Sequence, residues 1–140
     1  MKHPQYPVYL EERIRRYEKM SNITYDFLKE IPGLVVNRTN GAFYMSVAFK
    51  DGMLTGKQTL PIEKQEVREL VEKLVGGANI AHDKRFVYYI LAATGICVVP
   101  LSSFNTSLLG FRVTLLDRNE NECRKIYGIL AETIREYLAS

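Results

Sequence analysis

No apolar run in this sequence approaches the ~20 residues needed to cross a bilayer. The opening stretch, MKHPQYPVYLEERI, has no apolar core of the kind a secretory signal carries. A membrane span and secretion are therefore not expected, and a cytoplasmic location is. Cysteine is scarce, with Cys97 in a strand pattern and Cys123 in a helix pattern, and no CxxC pair or Cys/His ligand spacing around either. That argues against a disulfide framework and for two reduced thiols. The two histidines, His3 and His82, stand apart in polar stretches, so no metal site is expected. Charge of one sign is not concentrated anywhere. The 19 Lys and Arg are scattered among 16 Asp and Glu, for a net charge of +3, and a nucleic-acid partner would need a basic stripe or patch. Motif chemistry is missing too: there is no Walker lysine loop, GxGxxG, GxSxG elbow or HExxH.

What is present suits a folded protein. At 140 residues, 46% hydrophobic and 25% charged, the chain is large enough for one domain with a real core. Residues 1–140 carry no internal repeat, low-complexity segment or linker, and read as a single domain. Leu10, Ile14, Tyr17, Met20, Ile23, Phe27 and Ile31 recur at steps of three and four, which predicts a long helix from Val8 to Glu30. Pro32-Gly33 stops it. At roughly 34 Å it is longer than one small domain requires, and its N-terminal end, apolar at Tyr6, Val8, Tyr9 and Leu10, is expected to be either disordered or buried against another copy of the chain. Leu34 to Asn37 and Ala42 to Phe49 read as strands joined through Asn40-Gly41, a hairpin signal.

Pro61 suits the first turn of a helix whose buried stripe would be Val67, Leu70, Val71, Leu74 and Val75, ending at Gly76-Gly77. Its Glu63, Glu66, Glu69 and Glu72, mixed with Lys64, Arg68 and Lys73, form a solvated charged face. Asp83 is a fair N-cap for a further helix that runs to Thr94 and stops at Gly95. Tyr88 and Tyr89 are expected to pack within it. Strands follow at Ile96–Val99 and Phe111–Leu116. The last helix starts near Asn119, with Glu122 placed as in a capping box, and Cys123, Ile126, Tyr127, Leu130, Ile134, Tyr137 and Leu138 make its apolar face. The order α-β-β-α-α-β-β-α predicts an α+β fold: a small, mainly antiparallel sheet packed by helices, with a long N-terminal helix.

One residue stands out chemically. Alternation in the last strand sends Phe111, Val113 and Leu115 to one face and Arg112 and Thr114 to the other. If that second face meets water, Arg112 needs no explanation. If it faces a cleft, its forked donors suit a planar carboxylate. The stretch Pro100-Leu101-Ser102-Ser103-Phe104-Asn105 could line a pocket or form a tight strand-to-strand loop.

The residues FVYYILAATGICVVPLSSF, followed by GFRVTLLDRNENE, closely resemble the C-terminal part of class I/II pyridoxal-phosphate aminotransferases, and the alanine aminotransferase-like branch in particular. NGAFYMSVAF resembles the GAFY strand of these proteins, and the long helix leading into IPGLVV resembles their link from large to small domain. The resemblance covers nearly the whole chain, residues 53 to 82 least. It implies the small domain of the PLP-dependent transferase fold, in which the arginine of the FR strand, here Arg112, binds the α-carboxylate of an amino-acid or 2-oxo-acid substrate. It implies a parent enzyme that moves an amino group by means of pyridoxal phosphate, its partners being the large cofactor-binding domain of the same polypeptide and a second subunit in a homodimer. The family's Pro-Gly turn appears as Pro100-Leu101, and its SxFG as Ser102-Ser103-Phe104-Asn105. None of the nine lysines stands in the family's SxSK context, so the chain alone is expected neither to hold the cofactor specifically nor to transaminate. The alternative is a free-standing, non-catalytic α+β module that binds a small acid or a partner protein.

Overall fold

The structure, a computed structural model, describes residues 3–77, 79–117 and 119–140. Its elements run α1 (Tyr6–Leu28), β1 (Leu34–Val36), β2 (Tyr44–Phe49), α2 (Gln65–Val75), α3 (His82–Thr94), β3 (Val99–Pro100), a single 3-10 turn (Leu101–Phe104), β4 (Gly110–Thr114) and α4 (Glu120–Ala139). The four strands form one antiparallel sheet in the order β1-β2-β4-β3. This is the α+β architecture expected from the sequence, long first helix included.

The sheet is clothed on one side. Met45, Val47 and Phe49 of β2 and Phe111 and Val113 of β4 are buried, while Tyr44, Ser46 and Thr114 between them are exposed. The buried set meets α3 and α4 through an aromatic cluster. Phe86 lies 5.0 Å from Phe49, 5.3 Å from Phe111 and 5.3 Å from Tyr137, ring centre to ring centre. Such pairs add to what area burial alone supplies. Helix α4 starts as its sequence indicates: the Asn119 side chain accepts hydrogen bonds from the backbone N–H groups of Asn121 and Glu122. Its Tyr127 hydroxyl donates to the Thr114 carbonyl at 2.9 Å, tying the helix to the end of β4.

Helix α1 uses its stripe only in part. Met20, Ile23 and Leu28 are buried, and Lys19 pairs with Glu120 of α4. Tyr6, Val8, Tyr9, Leu10 and Ile14 are exposed. The first of these residues are helical rather than disordered, with Pro7 in the first turn, where its missing N–H costs nothing.

Several local expectations need correction. The β1–β2 strands pair, but through a seven-residue connection, 37–43, whose left-handed residue is Ala42 (φ 60°) and not Asn40 or Gly41. The Asn-Gly turn gives way because β1 ends at Val36, too early for a two-residue loop. Helix α2 begins at Gln65, and Leu70 and Leu74 of its presumed stripe are exposed while Val71 and Val75 are buried. Only a narrow edge of α2 meets the rest of the protein. The Ile96–Val99 strand shrinks to Val99–Pro100, the two residues that pair with Arg112 and Phe111 of β4. Asp83 is not a cap: Ala81 holds that position, and Asp83 is wholly buried inside α3's first turn.

Candidate functional site

Arg112 sits at the middle of the sheet's uncovered face. It is half-buried, and in register it lies between Ser46 on β2 and Val99 on β3. Alternation along β4 is therefore as the sequence indicates, with Arg112 and Thr114 turned away from the helices. Two aromatic rings reach the guanidinium from opposite sides of β4. The Phe104 ring centre, from the 3-10 turn beyond β3, lies 3.8 Å from its Cζ, and that of Tyr44, from β2, lies 4.4 Å away. Rings stacked on a guanidinium stabilise its charge without using its N–H donors. Arg112 takes part in none of the ion pairs found among the described residues. Its donors are left to an anion from elsewhere, and a bidentate carboxylate matches their geometry.

The 3-10 turn is held from below. The Asp83 carboxylate accepts from the Ser102 backbone N–H at 2.9 Å, from the Ser102 hydroxyl at 2.7 Å and from the Gly110 N–H at 3.3 Å. Leu101 is buried beside it. Two departures from the family's glycines are accommodated here. Leu101 enters the 3-10 turn with no need of a positive φ, and Asn105 takes the left-handed conformation (φ 56°, ψ 43°) that asparagine tolerates best after glycine. The loop at 100–105 is thus a tight connection that also presents one side chain, Phe104, to the arginine.

The sequence points to Arg112 alone. Tyr44 was within reach of sequence reasoning, since it alternates with Ser46 onto the uncovered face. Phe104 and Asp83 were not, because their roles depend on how a loop folds back.

Two hollows lie elsewhere. One, of about 570 Å³, opens between α1 and the 37–43 connection, lined by Tyr17, Ser21, Asn22, Arg38 and Thr39 among others. The other, of about 430 Å³, lies near Leu60, Ile62, Arg68 and Tyr89. Neither of these two is lined by Arg112. All eight lysines among the described residues are exposed, and none lines either hollow. Cys97 is exposed and Cys123 buried, and both are free.

Over 138 residues, 99% of its length, the chain is 51% identical to a Methanocaldococcus jannaschii protein described as an uncharacterized aminotransferase. It spans about a third (32%) of the length of that relative. No protein-family model matches it. Among solved structures, the chain is similar in fold to the aspartate aminotransferase of Rhizobium meliloti, with a TM-score of 0.63 at 24% identity over 99% of this chain and 28% of that one. An aminotransferase from Escherichia coli matches with a TM-score of 0.60 at 18% identity, over 87% of this chain and 24% of the other. At those identities the two structures show a shared fold and nothing finer.

Proposed function

We propose that the chain is the small domain of a pyridoxal-phosphate-dependent aminotransferase and that Arg112 anchors the α-carboxylate of its amino-acid and 2-oxo-acid substrates. The observation that carries this reading is a guanidinium held between two aromatic rings on a bare sheet face, with its donors unclaimed by any carboxylate of the described residues. Its support in kinship is the 51% identity to one third of an aminotransferase. The residues present do not fit the cofactor on their own. The described lysines are all exposed, and the buried carboxylate, Asp83, already accepts three hydrogen bonds. A large domain of the same polypeptide would hold the cofactor, and this domain would close over the substrate, orienting it and excluding water. The exposed apolar end of α1 suits contact with that larger body or with a second subunit.

The test is kinetic. A two-pronged clamp on a carboxylate is worth up to ~3–6 kcal/mol, at ~1.5–3 kcal/mol per hydrogen bond to a charged group. In the full polypeptide, Arg112→Ala is expected to lower kcat/KM for the amino acid by roughly 10²- to 10⁴-fold. Arg112→Lys keeps the charge without the fork and should fall in between. Near-normal kcat/KM in a folded, cofactor-loaded Arg112→Ala enzyme would return the arginine to a solvent-facing role and leave the non-catalytic module as the better reading.

A further inference from the structure

We propose that Asp83 is a positioning residue for Arg112, fixing the guanidinium against Phe104 through the two backbone N–H groups it holds. The inference rests on the function proposed above for its kinetic consequence, and on geometry for the rest. Asp83 is 0% exposed and forms none of the ion pairs among the described residues. A carboxylate buried without a cation is costly, and plain packing would be served better by an apolar side chain. What the fold gains is a fixed relation between two chain segments. Ser102, whose N–H and hydroxyl both donate to Asp83, precedes Phe104 by two residues. Gly110, whose N–H donates to the same carboxylate, precedes Arg112 by two residues. A single side chain on α3 thus sets where the ring stands and where the arginine stands. Between the two attachment points, residues 103–108 are exposed, with the Phe104 ring lying against Arg112.

Without Asp83 the turn loses its anchor and Phe104 drifts off the guanidinium. The arginine then samples rotamers in which its fork no longer meets the substrate. Phe104 itself is 41% exposed, so its place depends on this backbone and not on burial.

The experiment is a double-mutant cycle in the full, cofactor-loaded polypeptide. Asp83→Asn keeps the side chain's shape and is expected to raise KM for the amino acid roughly tenfold while kcat changes less than twofold. Phe104→Leu should do the same in milder degree. In an Arg112→Ala background, both substitutions should then have no further effect on kcat/KM, because they act through the arginine. An effect of Asp83→Asn that persists undiminished beside Arg112→Ala, or a KM that Asp83→Asn leaves unchanged, overturns the proposal. If Asp83→Asn does not fold, Ser102→Ala removes only the hydroxyl donor and Phe104→Leu leaves the anchor intact, and the same cycle with either decides. Failure of the underlying reading shows differently: Arg112→Ala alone would then leave kcat/KM at its wild-type value.

Discussion

Gly110→Ala is a one-methyl change with a large expected effect. Gly110 opens β4, is buried, and pairs with Ala48 across the β2–β4 ladder. A Cβ built there would drive into the Val47 carbonyl oxygen, with Leu101 Cδ1 at 2.8 Å and Ala48 Cα at 2.9 Å. The leucine tip can turn aside. The two backbone atoms belong to β2 and cannot move without it, so the strands must part by ~1 Å locally in a close-packed interior. Overpacking of this kind costs ~1–3 kcal/mol. Displacing the Gly110 N–H from Asp83 loses a hydrogen bond to a charged acceptor, ~1.5–3 kcal/mol more. The reduced freedom of the unfolded chain returns only ~0.4–1 kcal/mol. A net loss of ~2–5 kcal/mol is expected, a large share of the ~5–15 kcal/mol typical of a domain. Urea denaturation followed by circular dichroism measures it, with an unchanged m-value marking a loss of stability alone. Gly41→Ala is the control, since its Cβ would meet nothing within 4 Å and its φ is not left-handed. If the two variants differ by less than ~0.5 kcal/mol, within the scatter of harmless surface changes, the reasoning about Gly110 is wrong.

Alkaline pH should weaken the fold. Burial raises the Cys123 thiol to about 11 and the Tyr137 hydroxyl to about 12, and raises Tyr127 as well. Groups whose folded values are raised contribute fully below their unfolded values, so the urea midpoint should hold to about pH 8.5 and fall as pH climbs from ~9 to ~11; an unchanged midpoint at pH ~10.5 would contradict this. A thiol reagent should label Cys97 rapidly in the native chain and Cys123 only after unfolding. Pyridoxal phosphate followed by borohydride should leave no stoichiometric label on any one lysine of the 140-residue chain, and a unique labelled lysine together with transaminase turnover would refute the assignment of the cofactor to residues elsewhere. The chain alone should self-associate through Tyr6, Val8, Tyr9 and Leu10, all exposed on α1, and Val8→Asp should shift sedimentation towards monomer; a wild-type monomer at high concentration argues against it.

The fold was legible where the period of the pattern outlasted local accidents. Helices α1 and α4 each carry an apolar stripe over many turns, and Gly95, at φ 75°, ends α3 where its position suggests. The strands were legible by alternation but not in extent, because pairing depends on partners distant in sequence. β3 shows this, with four apolar residues in sequence and a two-residue ladder in space. Leu70 and Leu74 misled for a related reason. A helix with apolar residues on a broad arc does not reveal how much of that arc a neighbour will reach. Arg112 could be singled out because a charge in a β-prone run breaks the pattern, but its setting could not. Asp83 fitted a cap equally well by position, and its real partners lie 19 and 27 residues further along the chain. Composition is blind to a loop that returns.

The sheet has two edges, and both are blunt. At one end β1 is three residues long, and at the other β3 is two residues long and ends in Pro100. An open edge is a template on which a stray strand can add itself, and aggregation often begins there. Here the template is too short for a lasting ladder, and Pro100 offers it no N–H. Any body that meets the bare face would do so broadside, through side chains, at Arg112, Tyr44 and Phe104. Backbone pairing, which would accept almost any extended peptide, is closed off at both edges, and recognition on the exposed side would have to rest on the shape of its side chains.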